Sequence, residues 1–180
     1  MATRTLSTAE ARRSDVLSAA MHTFARTGYW GTNTTEIAHA AGISQAYLYR
    51  LFANKEDLFV AVIGEVHTWL RQEISHALAG APRGGELHAL LTPTTNPGTS
   101  ENRDAGMVLL HASAASSIEP IGVAVRQCYR DQTNFLSERG LTTSDIRAYF
   151  AWSQYANALG AAGIAPGIAP ADLDRLLPLP

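Results

Sequence analysis

Cysteine is nearly absent: Cys128 is the single example in 180 residues. A lone cysteine closes no internal disulfide and offers no metal-ligand spacing. That excludes a disulfide scaffold or a zinc module and suits a reducing compartment. Lysine is equally scarce, with Lys55 alone. Charged residues make up only 17% of the chain, which argues against long disordered tails. No apolar run approaches the roughly 18–20 residues that span a bilayer. The opening MATRTLSTAEARRSD is polar and lacks the apolar centre of a signal peptide. A soluble cytoplasmic protein without a membrane partner is expected.

Catalytic signatures are missing too. There is no glycine-rich phosphate loop, no nucleophile elbow, and no close carboxylate pair in a recognisable setting. The six histidines (His22, His39, His67, His76, His88, His111) do not pair on one helical face; His67 and His76 are only a loose scatter. No enzyme, cofactor or metal site is expected. Nor is there a bulk basic signal, since the net charge is −2. Residues 1–60 carry six basic against five acidic side chains, and the remainder eight against eleven. Any nucleic-acid contact must therefore rest on where charge is placed, not on how much there is.

What is present is apolar residues, 46% of the chain, at helical spacing. Strand-like alternation is almost missing, so the expected fold is all-α. A first helix is predicted over about Thr8–Arg26, with Val16, Leu17, Ala20, Met21 and Phe24 on its buried stripe and Gly28 ending it. A short helix follows over about Thr34–Ala41. Asn33 is its cap, and Glu36 completes a capping-box pattern. Ser44 caps another short helix, Gln45–Phe52. Asn54, with Glu56 and Asp57 in the first turn, opens a long helix to about Ala79. A turn at Ala81–Gly85 and a short piece at Glu86–Leu91 come next. Residues 92–103 read as a loop. Three further helices are predicted at about Asp104–Ser117, Glu119–Arg139 and Thr143–Gly163, with a last short one near Ala171–Leu177.

Two short helices joined by Ala41-Gly42-Ile43-Ser44 make a helix-turn-helix. The first braces the second, and the second must be short, exposed on one face, and begin with small polar residues that approach base edges. Ile37, Ala38 and Ala41 can pack on Leu48 and Phe52, which leaves Gln45, Ala46, Tyr47, Tyr49 and Arg50 partly free.

The segment GYWGTNTTEIAHAAGISQAYLYRLFANKEDL, Gly28–Leu58, resembles the DNA-binding signature of TetR-family regulators. The resemblance lies in the Gly-Tyr after the first helix, Ile37-Ala38, the Ala41–Ser44 turn, Leu48-Tyr49, Phe52 and Lys55-Glu56. With the first helix it covers about a third of the chain. It implies an N-terminal three-helix head, residues 1–54, and a helical ligand-binding and dimerisation bundle, residues 55–180. It implies a repressor of double-stranded operator DNA, released by a small-molecule effector of unknown identity. Ser44 opens the recognition helix. Gln45, Ala46 and Tyr47 are the implied base readers. A glutamine amide can pair bidentately with adenine, and an alanine can touch a thymine methyl. Thr35 matches a base-contacting position in the bracing helix. Thr34, Tyr49 and Lys55 match phosphate-contacting positions, and Arg50 could reach phosphate or base. Leu51 stands where relatives commonly carry His or Tyr, and Thr35 where many carry a longer basic residue. Read from the residues alone, Tyr49 also fits a core aromatic and Lys55 a solvated surface lysine.

DNA readers of this kind work as two-fold dimers. The last two long helices resemble the family's intersubunit four-helix bundle, so a homodimer is implied. Small residues Ser153, Ala156, Asn157, Gly160 and Gly163 would allow close approach, and equally allow packing within one subunit. An effector pocket is expected between the long helix from Asn54 and those starting near Asp104 and Glu119. Trp69, Met107, His111, Phe135 and Trp152 are its candidate lining, each also compatible with plain core. The competing reading is a small-molecule-binding or interaction protein on the same scaffold, without specific DNA binding.

Overall fold

The computed structural model describes residues 2–91 and 100–164, with side chains from residue 10 onward except 100–102. Among these it contains only helices: α1 (Ala2–Gly31), α2 (Thr34–Ala40), α3 (Gln45–Leu51), α4 (Lys55–Ala79), α5 (Glu86–Leu91), α6 (Ser100–Ala114), α7 (Glu119–Ser137) and α8 (Thr143–Ala161). The all-α expectation holds. The loop expected at 92–99 and the short helix at Ala171–Leu177 lie outside the described residues.

Caps explain most of the boundaries. Ser44 Oγ accepts from Tyr47 N at 3.2 Å and Asn54 Oδ1 from Asp57 N at 2.7 Å, which starts α3 and α4. The capping box expected at Asn33 and Glu36 is replaced by something simpler. Asn33 Oδ1 accepts from Thr35 N, while the Glu36 carboxylate turns outward to Arg26 at 3.3 Å. The reciprocal box occurs instead at α8, between Thr142 and Asp145. Gly42 ends α2 with φ +65°, and Ile43 N reaches back to Ala38 O at 2.9 Å, the wrap-around closure a left-handed residue permits. Phe52 is extended, so α3 stops at Leu51, one residue earlier than the spacing suggested. Residues 100–103, expected as loop, form the first turn of α6.

α1 runs past Arg26 to Gly31 but breaks at Gly28, where φ is +69°. The break turns the chain so that Tyr29 points into the protein while Trp30, 71% exposed, stays outside. One apolar cluster then runs through the molecule. Val16, Ala20 and Phe24 of α1 meet Ile37 of α2 and Leu48 of α3; Leu58, Phe59, Val62 and Val66 of α4 continue it; Val108 of α6 and Ile121 of α7 close it. Phe24 and Phe59 are completely buried, with ring centroids 4.5 Å apart. A second, smaller cluster at the far end joins Ile74, Phe135, Leu136, Leu141, Ile146 and Tyr149. No described helix is long and apolar enough to cross a membrane.

Candidate functional site

The exposed end of α3 is built from beneath. Leu48 is 1% exposed and Phe52 4%, so one face of α3 is anchored in the core. Arg13 of α1 lies over the Phe52 ring at 4.2 Å and donates to Leu51 O at 3.2 Å, which covers the carbonyl end of the helix. The opposite face carries Ser44, Gln45, Ala46, Tyr49 and Arg50, all exposed, with Tyr47 half-buried. Tyr49 is 44% exposed, not a core aromatic. Arg50 leans over the Tyr47 ring at 5.6 Å.

Thr34 is the pivot of this surface. It is buried at the start of α2, and its Oγ1 accepts from Gln45 Nε2 at 3.0 Å and shares a 3.0 Å hydrogen bond with Tyr49 Oη. Three residues placed at the interface by resemblance are thus brought into one network. A primary amide has two N–H groups and an acceptor oxygen. Thr34 takes one N–H, leaving the other and Oε1 as the pair that matches an adenine edge. Thr35 stands exposed beside it.

Lys55 is placed differently from a reaching side chain. It is half-buried, donates to Thr32 O at 2.6 Å, and sits 4.7 Å above the Tyr29 ring. Tyr29 Oη in turn donates to Glu56 Oε1 at 2.5 Å. Burial and the Glu56 carboxylate push the Tyr29 hydroxyl well above the ordinary tyrosine range. The Tyr29 hydroxyl and Glu56's own backbone N–H hold the Glu56 carboxyl below the ordinary carboxylate range. Burial lowers the Lys55 ammonium against the opposing pull of Glu56. These residues clamp the start of α4 to the α1–α2 connection. The motif spelled out Tyr29, Lys55 and Glu56, but only the break at Gly28 brings them together.

Along α4 lies a cavity of about 290 Å³, lined by α4, α5, α6, α7 and α8. Trp69 and Trp152 line it, as proposed from the sequence. Met107, His111 and Phe135 are not on its wall. Met107 packs against the larger core. His111 is turned toward α1, where a Cβ on Gly28 would stand 2.8 Å from its Nδ1. Phe135 belongs to the far cluster, with Arg71 at 4.2 Å and Arg139 at 3.4 Å from its ring centre. Helical spacing could not tell which side of α6 and α7 faces the cavity. The wall instead includes His67, Leu109, Cys128, Gln132 and Phe150. Burial pushes the Cys128 thiol up and the His67 imidazole down. No group of three or more metal-ligating side chains occurs among the described residues.

Residues 16–62 match the family of bacterial regulatory proteins described as the tetR family. The HTH-type transcriptional regulator RutR of Escherichia coli (strain K12) is 39% identical over 61 residues, 33% of this chain and 29% of RutR. The chain thus matches less than a third of that relative's length. LmrA of Bacillus subtilis (strain 168), another HTH-type transcriptional regulator, is 28% identical over 131 residues, 71% of this chain and 70% of its own. Among solved structures, a TetR-family regulator from Agrobacterium tumefaciens superposes with a TM-score of 0.65 at 16% identity, covering 92% of this chain and 97% of that one. AibR, solved in complex with isovaleryl coenzyme A and operator DNA, gives a TM-score of 0.65 at 21% identity over 92% of this chain and 93% of its own. At such identities the structural likeness establishes the fold alone. Over residues 16–62 the chain is similar to the tetR family of bacterial regulatory proteins.

Proposed function

We propose that the chain is a DNA-binding transcriptional regulator, a cytoplasmic homodimeric repressor released from operator DNA by a small molecule. The observation that carries this reading is the α3 surface. Gln45, Ala46, Tyr49 and Arg50 are exposed on a helix locked from behind, and the Gln45 amide is pre-set by Thr34. An ordered side chain loses less freedom on entering the groove, so its hydrogen bonds count more fully. In this reading Gln45, Ala46 and Tyr47 meet bases, with Thr35 beside them. Tyr49, Arg50 and the amino end of α3 at Ser44 meet phosphate. Thr34 supports the interface from behind, and Lys55 sets the position of α4 against the DNA head.

Division of the chain near residue 54 into a head and a sensing bundle is part of the proposal. α4 is the connecting part: its first turn is clamped by Tyr29, and its middle, Ile63 to Leu70, lines the cavity. A ligand that prefers one tilt of α4 shifts the spacing of two heads by no more than its affinity difference between the tilts. The complex of AibR with both an acyl coenzyme A and operator DNA supports reading head and cavity as one device. Two heads must face one side of the duplex, about 34–36 Å or a multiple apart. The exposed outer faces of α7 and α8, with Val123, Ala151, Ala158 and Gly160, are the proposed subunit interface.

A gel shift with the duplex upstream of the protein's own gene, at fixed salt, tests the reading. A shift with that duplex that survives excess scrambled competitor is expected. Equal binding to both, or none, would favour a scaffold that no longer reads DNA.

A further inference from the structure

The cavity beside α4 has an uncharged wall. Among the described residues that form it there is no Lys, Arg, Asp or Glu. This holds for its exposed members, Ser113, Tyr129 and Ala156, as for its buried ones, Ile63, Ala105 and Ala112. Burial pushes the His67 imidazole down and the Cys128 thiol and Tyr149 hydroxyl up, each toward its uncharged form. A carboxylate or ammonium entering this space would leave water without gaining a counter-charge.

The serines and glutamines of the wall donate to the protein itself. Ser113 Oγ donates to Leu109 O at 2.9 Å and Ser153 Oγ to Tyr149 O at 2.8 Å. Gln154 Nε2 donates to Tyr129 Oη at 2.9 Å and Gln132 Nε2 to Tyr149 Oη at 3.3 Å. His67 Nε2 and Gln132 Oε1 are sealed from solvent, and what water cannot touch an occupant cannot touch either. What the wall offers is apolar surface. The rings of Tyr129, Phe150 and Tyr149 follow one another with centroids 5.1 and 5.5 Å apart, an aromatic strip across α7 and α8. An apolar cavity of about 150 Å³ holds one benzene ring. At about 290 Å³ this one has room for two.

We propose that the cavity takes one uncharged, apolar molecule about the size of two fused rings and rejects anions and cations of that size. The assignment rests on the effector role proposed above and names the chemical class of that effector. Such an occupant lies against Ile63, Trp69 and Leu70, and so bears on the helix that carries the head.

Equilibrium dialysis of the full chain against naphthalene, 2-naphthoate and N-methylquinolinium at neutral pH tests it without DNA. The three probes share two fused rings and differ in charge. Naphthalene should saturate at one molecule per chain and bind at least about tenfold more tightly than either ion, as expected where a charge is stranded. Ser153→Phe, which sets a ring into the space, should weaken naphthalene at least about tenfold while the variant still melts cooperatively. Uptake of naphthalene that does not saturate, no uptake, an ion bound as tightly, or unchanged binding in the folded variant would overturn the assignment. Should the variant not fold, the wild-type series decides alone. The gel shift separates the two proposals. Naphthalene binding without DNA binding overturns the regulator reading only; DNA binding without naphthalene binding overturns this one only.

Discussion

The proposed DNA head and the bundle behind it are built under different constraints. In the head, almost every residue that shapes the surface is a cap, a turn or a short-range anchor: Asn33, Gly42, Ser44, Leu48, Phe52, Asn54. These work within a few residues of themselves and leave a readable pattern. In the bundle, the cavity depends on how five helices lie against one another, and its wall takes residues from positions 63 to 157. The surface proposed to fit the double helix is written locally. The cavity proposed to hold a small molecule is written in helix orientation.

The two regions nonetheless share one apolar core, and this coupling can be broken deliberately. Phe59 of α4 packs on Phe24 and Tyr29 of α1, with centroids at 4.5 and 5.5 Å. Phe59→Ala should cost about 3–5 kcal/mol, the usual range for a buried phenylalanine. Urea denaturation should still show one transition, shifted for head and bundle alike. A head that melts separately would show that the shared core does not couple them.

Tyr29→Phe should have a smaller effect, about 1.5–3 kcal/mol at neutral pH, because it removes a hydrogen bond to a charged acceptor. The pH dependence sharpens the point. Glu56 has its folded pKa below its unfolded value, so its contribution is fully present above the ordinary carboxylate range and is lost as pH falls through the folded value. Tyr29 has its folded value raised, so its contribution persists below the ordinary tyrosine range and is lost as alkali passes the folded value. Stability curves of Tyr29→Phe and wild type should therefore converge at the acid end. A gap that stays constant into acid would mean that the bond to Glu56 is not what the substitution removes.

Asn54→Ala removes the cap of α4 and should cost about 1 kcal/mol, read as a lowered denaturation midpoint with unchanged slope. No loss would indicate that the Tyr29 clamp alone fixes the start of α4.

How far the sequence could be read follows the same division. Leu48 and Phe52 were legible as anchors because i and i+4 spacing on a short helix leaves a single inward face. Tyr49 and Lys55 were located by motif, but their partners were not. Nothing local says that the Lys55 ammonium folds back on Thr32, or that Thr34 is a buried hub instead of a phosphate ligand reaching outward. Those contacts depend on the 15 residues separating Thr34 from Tyr49 and on the break at Gly28. In the bundle, Trp69 and Trp152 were found as large residues on amphipathic helices, while Met107, His111 and Phe135 fitted the same criterion and face elsewhere. Gln132 and His67 were passed over as wall residues, because a polar residue on a helix ordinarily points to water.

The most direct test of the α3 surface is a base-by-base scan. Wild type and Gln45→Ala would be titrated against operator duplexes carrying single symmetric base-pair substitutions, at one salt concentration. The amide pre-set by Thr34 predicts that Gln45→Ala loses about 1–3 kcal/mol of discrimination at one A·T pair in each half-site and keeps its preferences elsewhere. Uniform weakening at every position, or an unchanged profile, would contradict it.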